Sequence, residues 1–125
     1  MEKTFVAVRG AIQIPRDDPE SIQNGIKKLF ETLWEDNPAI HFSSCIDIMF
    51  TVTDDLKSLN PATALRKSFD AVSSPLFCMQ EPKINGMMPR VIRVMLHAYV
   101  PEGTEVQHAY LGGTQSLRPD IMLRS

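Results

Sequence analysis

Along this chain apolar residues recur at helical spacing in one stretch and alternate with polar ones in several others. Thr4 to Ile12 (TFVAVRGAI) is short and rich in Val, Phe and Ile, which predicts a strand in which Gly10 marks a bend or a close approach. Asp17-Asp18-Pro19-Glu20 is a helix start: Asp18 can cap the free amides, Pro19 suits the first helical position, and Glu20 favours the positive end of the dipole. Ile22, Ile26, Leu29, Phe30 and Leu33 then form one apolar face, and the helix is expected to run to about Asp36, before Asn37-Pro38. Ser44 to Thr53 alternates, with Ile46, Ile48, Phe50 and Val52 on one face and Cys45, Asp47, Met49 and Thr51 on the other. Asn60-Pro61 repeats the cap-then-proline signature and opens a second helix, expected from Ala62 to about Val72.

Asn85-Gly86 lies between two apolar runs, a pattern that predicts a hairpin turn. Its first arm would be Leu76-Phe77-Cys78 and its second the run from Val91 to Val100, which would bring Glu81 and Arg93 onto neighbouring strands. The second arm is apolar on both faces, and in a chain with only two helices one cover is expected to be another subunit. Val106 to Leu111 suits either a last strand or a helical turn, and Gly112-Gly113 is expected to open a flexible tail.

Length narrows this to one domain over residues 1–125, enough for a single core. A net charge of −2 argues against the basic surface of a nucleic-acid binder. The start lacks the pattern of a signal peptide, and no apolar run approaches membrane-spanning length, so a cytoplasmic protein is expected. Cys45 and Cys78 form no paired motif, and neither a metal nor a cofactor site has ligand spacing behind it.

The unusual residues are Arg9, Arg66, Arg93, Glu81, Cys78 and Tyr110, all in or near apolar segments. The chain has no GxSxG elbow and no phosphate-binding glycine loop. Several guanidiniums with one carboxylate and a phenol suit a small dianion held by charge-assisted hydrogen bonds. By themselves, Glu81 and Arg93 fit a structural ion pair equally well, Cys78 fits a buried small residue, and Tyr110 a packing residue.

Arg9-Gly10-Ala11, Cys78-Met79-Gln80-Glu81, Ile92-Arg93-Val94-Met95, His108-Ala109-Tyr110-Leu111 and Leu117-Arg118-Pro119-Asp120 resemble, in order, the motifs of the monofunctional AroH-class chorismate mutases. The resemblance implies an α+β fold, a mixed β-sheet with helices on one face. It also implies a homotrimer forming a pseudo-α/β barrel, with sites in the clefts between subunits. The implied reaction is the Claisen rearrangement of chorismate to prephenate without a cofactor, in phenylalanine and tyrosine biosynthesis. By this likeness Arg93 would touch the ether oxygen and a carboxylate, Glu81 the ring hydroxyl, and Arg9 a carboxylate. Phe77, Cys78, Met79, Gln80 and Tyr110 would complete the substrate contacts, with Arg66, Leu117 and Arg118 at the rim and tail. Thr63 stands where the family commonly has a lysine, so one rim cation is missing. Two other readings are a non-catalytic metabolite-binding trimer and an enamine or imine deaminase of the Rid type, the latter not expected to carry the Cys78-to-Glu81 block.

Overall fold

A computed structural model of the chain describes residues 2–117. Strand β1 (Lys3–Gln13) is followed by helix α1 (Pro19–Asp36), β2 (Cys45–Val52), α2 (Pro61–Ser68), β3 (Leu76–Gln80), β4 (Val91–Pro101) and β5 (Ala109–Leu111). Short 3-10 turns span Phe42–Ser44 and Thr114–Leu117. Both helices begin where the cap signatures place them: Asp18 Oδ1 accepts the Ser21 N–H at 2.7 Å, and Asn60 Oδ1 accepts that of Ala62 at 2.8 Å.

The sheet order is β3-β2-β4-β1-β5. β4 is antiparallel to both β1 and β2, whereas β3 runs parallel to β2 and β5 parallel to β1, so the sheet is mixed and the fold α+β. One face is covered by the helices. There Ile22, Ile26, Leu29, Phe30 and Leu33 of α1 and Ala64 and Leu65 of α2 share a core with Val8, Ile48, Phe50, Ile92, Leu96 and Val100. Gly10 permits a close approach, since a Cβ there would lie 3.1 Å from the Ala109 carbonyl and 3.2 Å from Leu29 Cδ1.

Four local expectations are corrected. β3 and β4 do not form a hairpin, because β3 pairs with β2 through the α2 crossover and β2 lies between them. The turn at Gly86 exists, with φ of 82°, but it sits within a connection, 81–90, long enough to step across β2. Pro82 and Pro89 lack the N–H that a continued ladder needs. The second helix stops at Ser68, short of Val72: Phe69 takes extended backbone, φ −139°, and its ring packs 5.4 Å from that of Phe42. Aromatic burial outweighs helical propensity there.

In β2 the register shifts between Cys45 and Asp47, which buries Cys45 and leaves Ile46 exposed, opposite to simple alternation. Finally, Gly112 and Gly113, with φ of 60° and 94°, open a turn and not a loose tail within the described residues. Thr114 is fully buried, its hydroxyl donating to the carbonyls of Leu111 at 2.7 Å and Ala11 at 3.1 Å. The segment between Val106 and Leu111 forms a strand only in its last three residues.

Candidate active site

Strand pairing aligns residues across the open face of the sheet in transverse rows. One row reads Tyr110 on β5, Ala11 on β1, Arg93 on β4, Thr51 on β2 and Met79 on β3. The next reads Arg9, Met95, Met49 and Phe77. Further along, Asp47 meets a basic neighbour, His97, whose Nδ1 lies 2.8 Å from its Oδ1.

Glu81 follows β3 directly, and its N–H donates to the Val52 carbonyl at 2.8 Å, so it continues the parallel pairing by one residue. This brings its carboxylate to Thr51 and, across β2, to Arg93. Oε1 of Glu81 accepts two short bonds: from Thr51 Oγ1 at 2.6 Å and from Arg93 Nε at 2.6 Å. The side chains retain 11% of their exposure at Glu81 and 28% at Arg93, so water screens the pair only partly.

An open cavity of about 470 Å³ lies against this pair, large enough for one small ligand. Arg9, Met49, Thr51, Met79, Gln80, Glu81, Pro82, Arg93, Val94 and Met95 line it. Its charged lining residues are two guanidiniums and one carboxylate, leaving one positive charge in excess. Among the described residues the Arg9 guanidinium, the terminal amino groups of Arg93 and Oε2 of Glu81 have no hydrogen-bond partner, so all remain available to a ligand. The Arg9 N–H donates to His108 Nδ1 at 3.0 Å, which ties β1 to the segment entering β5. Such a lining can grip an anion and offer fixed positive charge to a second oxygen.

The structure brings Arg9, Met79, Gln80, Glu81 and Arg93 together at this cavity. Phe77 lies on the same face in the next row, 59% exposed. Tyr110 shares the row of Arg93 but sits beyond Ala11, 5% exposed and outside the lining. The Cys78 side chain is not at the cavity: in register with Phe50, it packs against the helical core. Burial raises its thiol above the ordinary value and pushes that of Cys45 up to about 11, so neither is a thiolate nucleophile at neutral pH. Arg66 projects from α2 on the other side of the sheet, exposed, and Leu117 closes the last 3-10 turn, both away from the cavity of their own chain. Arg118 lies outside the described residues. Sequence reasoning missed Thr51, Met49 and Met95 as lining residues, although alternation had already placed Thr51 with Met49 and Met95 with Arg93. The absent information was which strand lies next to which.

The molecule is a small α+β protein, a mixed five-stranded sheet with both helices on one face and a cavity lined by two arginines and a glutamate on the other. The chain belongs to the type I chorismate mutase family, whose model matches residues 5–121. It is 35% identical to chorismate mutase AroH of Thermus thermophilus over 116 residues, covering 91% of this chain and 93% of the relative. It is also 33% identical to chorismate mutase AroH of Bacillus subtilis (strain 168) over 118 residues, covering 93% and 91%. The solved chorismate mutase from Clostridium thermocellum superposes with a TM-score of 0.79 at 32% identity, over 89% of this chain and 98% of that one. The Rid-type and non-catalytic readings are not favoured.

Proposed function

We propose that the cavity beside Arg93 is where this chain performs the rearrangement of chorismate to prephenate, by electrostatic stabilisation and by fixing the substrate's conformation. The observation that carries this is the convergence of Arg9, Glu81 and Arg93, with free donors and a free carboxylate oxygen, on one cavity. In the rearrangement the breaking C–O bond gathers negative charge on the ether oxygen. A guanidinium fixed beside that oxygen binds the transition state more strongly than the ground state. Arg93 supplies this charge, Arg9 grips a carboxylate, and Glu81 Oε2 accepts the ring hydroxyl. Met49, Met79 and Met95 form the apolar wall against which the enolpyruvyl arm folds over the ring, a near-attack geometry. No proton moves between protein and substrate, so the site needs neither a general base nor a cofactor.

The chain acts as a single domain in a cytoplasmic homotrimer with a pseudo-α/β-barrel centre. Support for assembly comes from the open sheet face, where Phe5, Phe77, Met79 and Tyr99 are each between 44% and 59% exposed. Several large apolar side chains exposed on one sheet face suit burial against another copy. In the trimer a neighbour closes the cleft, and Arg66, Leu117, Tyr110 and the backbone at Phe77 and Cys78 complete the contacts. Among the described residues no helix is long and apolar enough to cross a membrane.

Purified protein is expected to consume chorismate in an ultraviolet assay well above the spontaneous rate, and to sediment at about three times the 14.1 kDa chain mass. A rate equal to the spontaneous background rejects the catalytic assignment. Prephenate binding by calorimetry without chorismate loss selects a metabolite-binding trimer in its place.

A further inference from the structure

We propose that Thr51 is a positioning residue for this reaction, its hydroxyl holding Glu81 in the one orientation that leaves both Glu81 and Arg93 free to meet the substrate. The inference rests on the chorismate site proposed above and goes beyond it by assigning a role to a side chain that touches no reacting atom. Three features carry it. First, Thr51 lies on β2, hydrogen-bonded on both flanks by β3 and β4, and its β-branch restricts χ1, so the hydroxyl is a rigid reference point. Glu81, by contrast, stands at the start of the 81–90 connection, with its backbone tied to the sheet by one bond to Val52.

Second, the Thr51 and Arg93 donors converge on the same oxygen, Oε1, each at 2.6 Å. That sharing keeps Glu81 monodentate toward the guanidinium. An arginine and a carboxylate left to themselves favour a two-bond fork, in which a terminal amino group and the second carboxylate oxygen also pair. The fork would consume the two groups that the substrate needs. Third, at 11% exposure the Glu81 side chain has little water available to take over the bond from Thr51. The Thr51 hydroxyl therefore acts as a latch that prevents the ion pair from closing on itself.

The test compares Thr51→Val, which keeps the branched shape and removes the donor, with Thr51→Ser, which keeps the donor and removes the methyl. Thr51→Val is expected to lose about 10- to 100-fold in kcat/KM for chorismate while remaining folded and in the same oligomeric state. Thr51→Ser is expected to recover activity to within roughly threefold of wild type, a rescue that a purely structural role would not produce. If the valine variant does not fold, Thr51→Ala against Thr51→Ser isolates the same hydroxyl. An active wild type with Thr51→Val equally fast, or with Thr51→Ser no better than Thr51→Ala, overturns the latch and leaves the chorismate site standing. An inactive wild type removes the site itself and the latch with it.

Discussion

Arg93→Ala is expected to lower chorismate turnover by about 10²- to 10³-fold, the loss typical of one fixed donor at a developing oxyanion. Nε of Arg93 is already held by Glu81 at 2.6 Å, which leaves the terminal amino groups to face the cavity. Alanine removes these donors and leaves Glu81 with Thr51 as its remaining partner, a carboxylate in the lining with its nearest countercharge gone. The cavity then changes from an excess of one positive charge to balance, with Arg9 against Glu81. Arg93→Lys separates charge from shape. A lysine keeps the cation, but its single ammonium cannot reproduce a planar fork that bonds Glu81 through one nitrogen and the substrate through others. Activity between the alanine variant and wild type is expected. The measurement is kcat from chorismate disappearance, with circular dichroism to verify the fold. Turnover in Arg93→Ala within threefold of wild type would remove Arg93 from its assigned role.

Asn37→Ala is expected to destabilise the fold by about 3 kcal/mol, from three lost hydrogen bonds in a buried setting. Asn37 is 4% exposed and stands just beyond α1. Its Nδ2 donates to the Leu33 carbonyl at 2.8 Å and to the Gln107 carbonyl at 2.9 Å, while its Oδ1 accepts the Gln107 N–H at 2.8 Å. One side chain thus finishes the helix and pins the irregular segment that leads into β5. That segment includes His108, which accepts the Arg9 N–H, so the same anchor bears on a site residue at one remove. Asn37→Asp is expected to cost at least as much, because it replaces a donor facing two carbonyl oxygens with an acceptor. Urea unfolding reads the effect directly, and a loss below 1 kcal/mol in the alanine variant would show that water replaces these bonds without cost.

Asn37 also shows where sequence reasoning stops. Before Pro38 it reads as a helix terminator, which it is, but nothing in the local pattern points to a partner 70 residues away. The same contrast holds at the site. Arg9, Glu81 and Arg93 stood out because charges in apolar runs are costly unless they are paired or solvated, and the structure gathers all three at one cavity. The route by which Glu81 reaches Arg93 differs from the one the Asn85-Gly86 pattern predicts. A hairpin would have put them on adjacent strands, whereas β2 lies between their strands and its Thr51 hydroxyl shares Glu81 Oε1 with Arg93. Cys78 illustrates the reverse case: its motif drew it toward the site, yet the pleat turns its side chain into the core.

By itself the sequence determined the starts of both helices, the buried stripe of α1, the existence of the four longer strands and which charged residues sit in apolar runs. These depend on interactions within a few residues: a cap bond, a proline at the first turn, a period of two or 3.6. Only the tertiary structure decided the order of the strands, the bulge that exposes Ile46, the early end of α2 at Phe69 and the transverse row that unites Arg93 with Thr51. Strand order depends on crossover connections and on competition among apolar faces for one core, free energies that no short window of sequence contains.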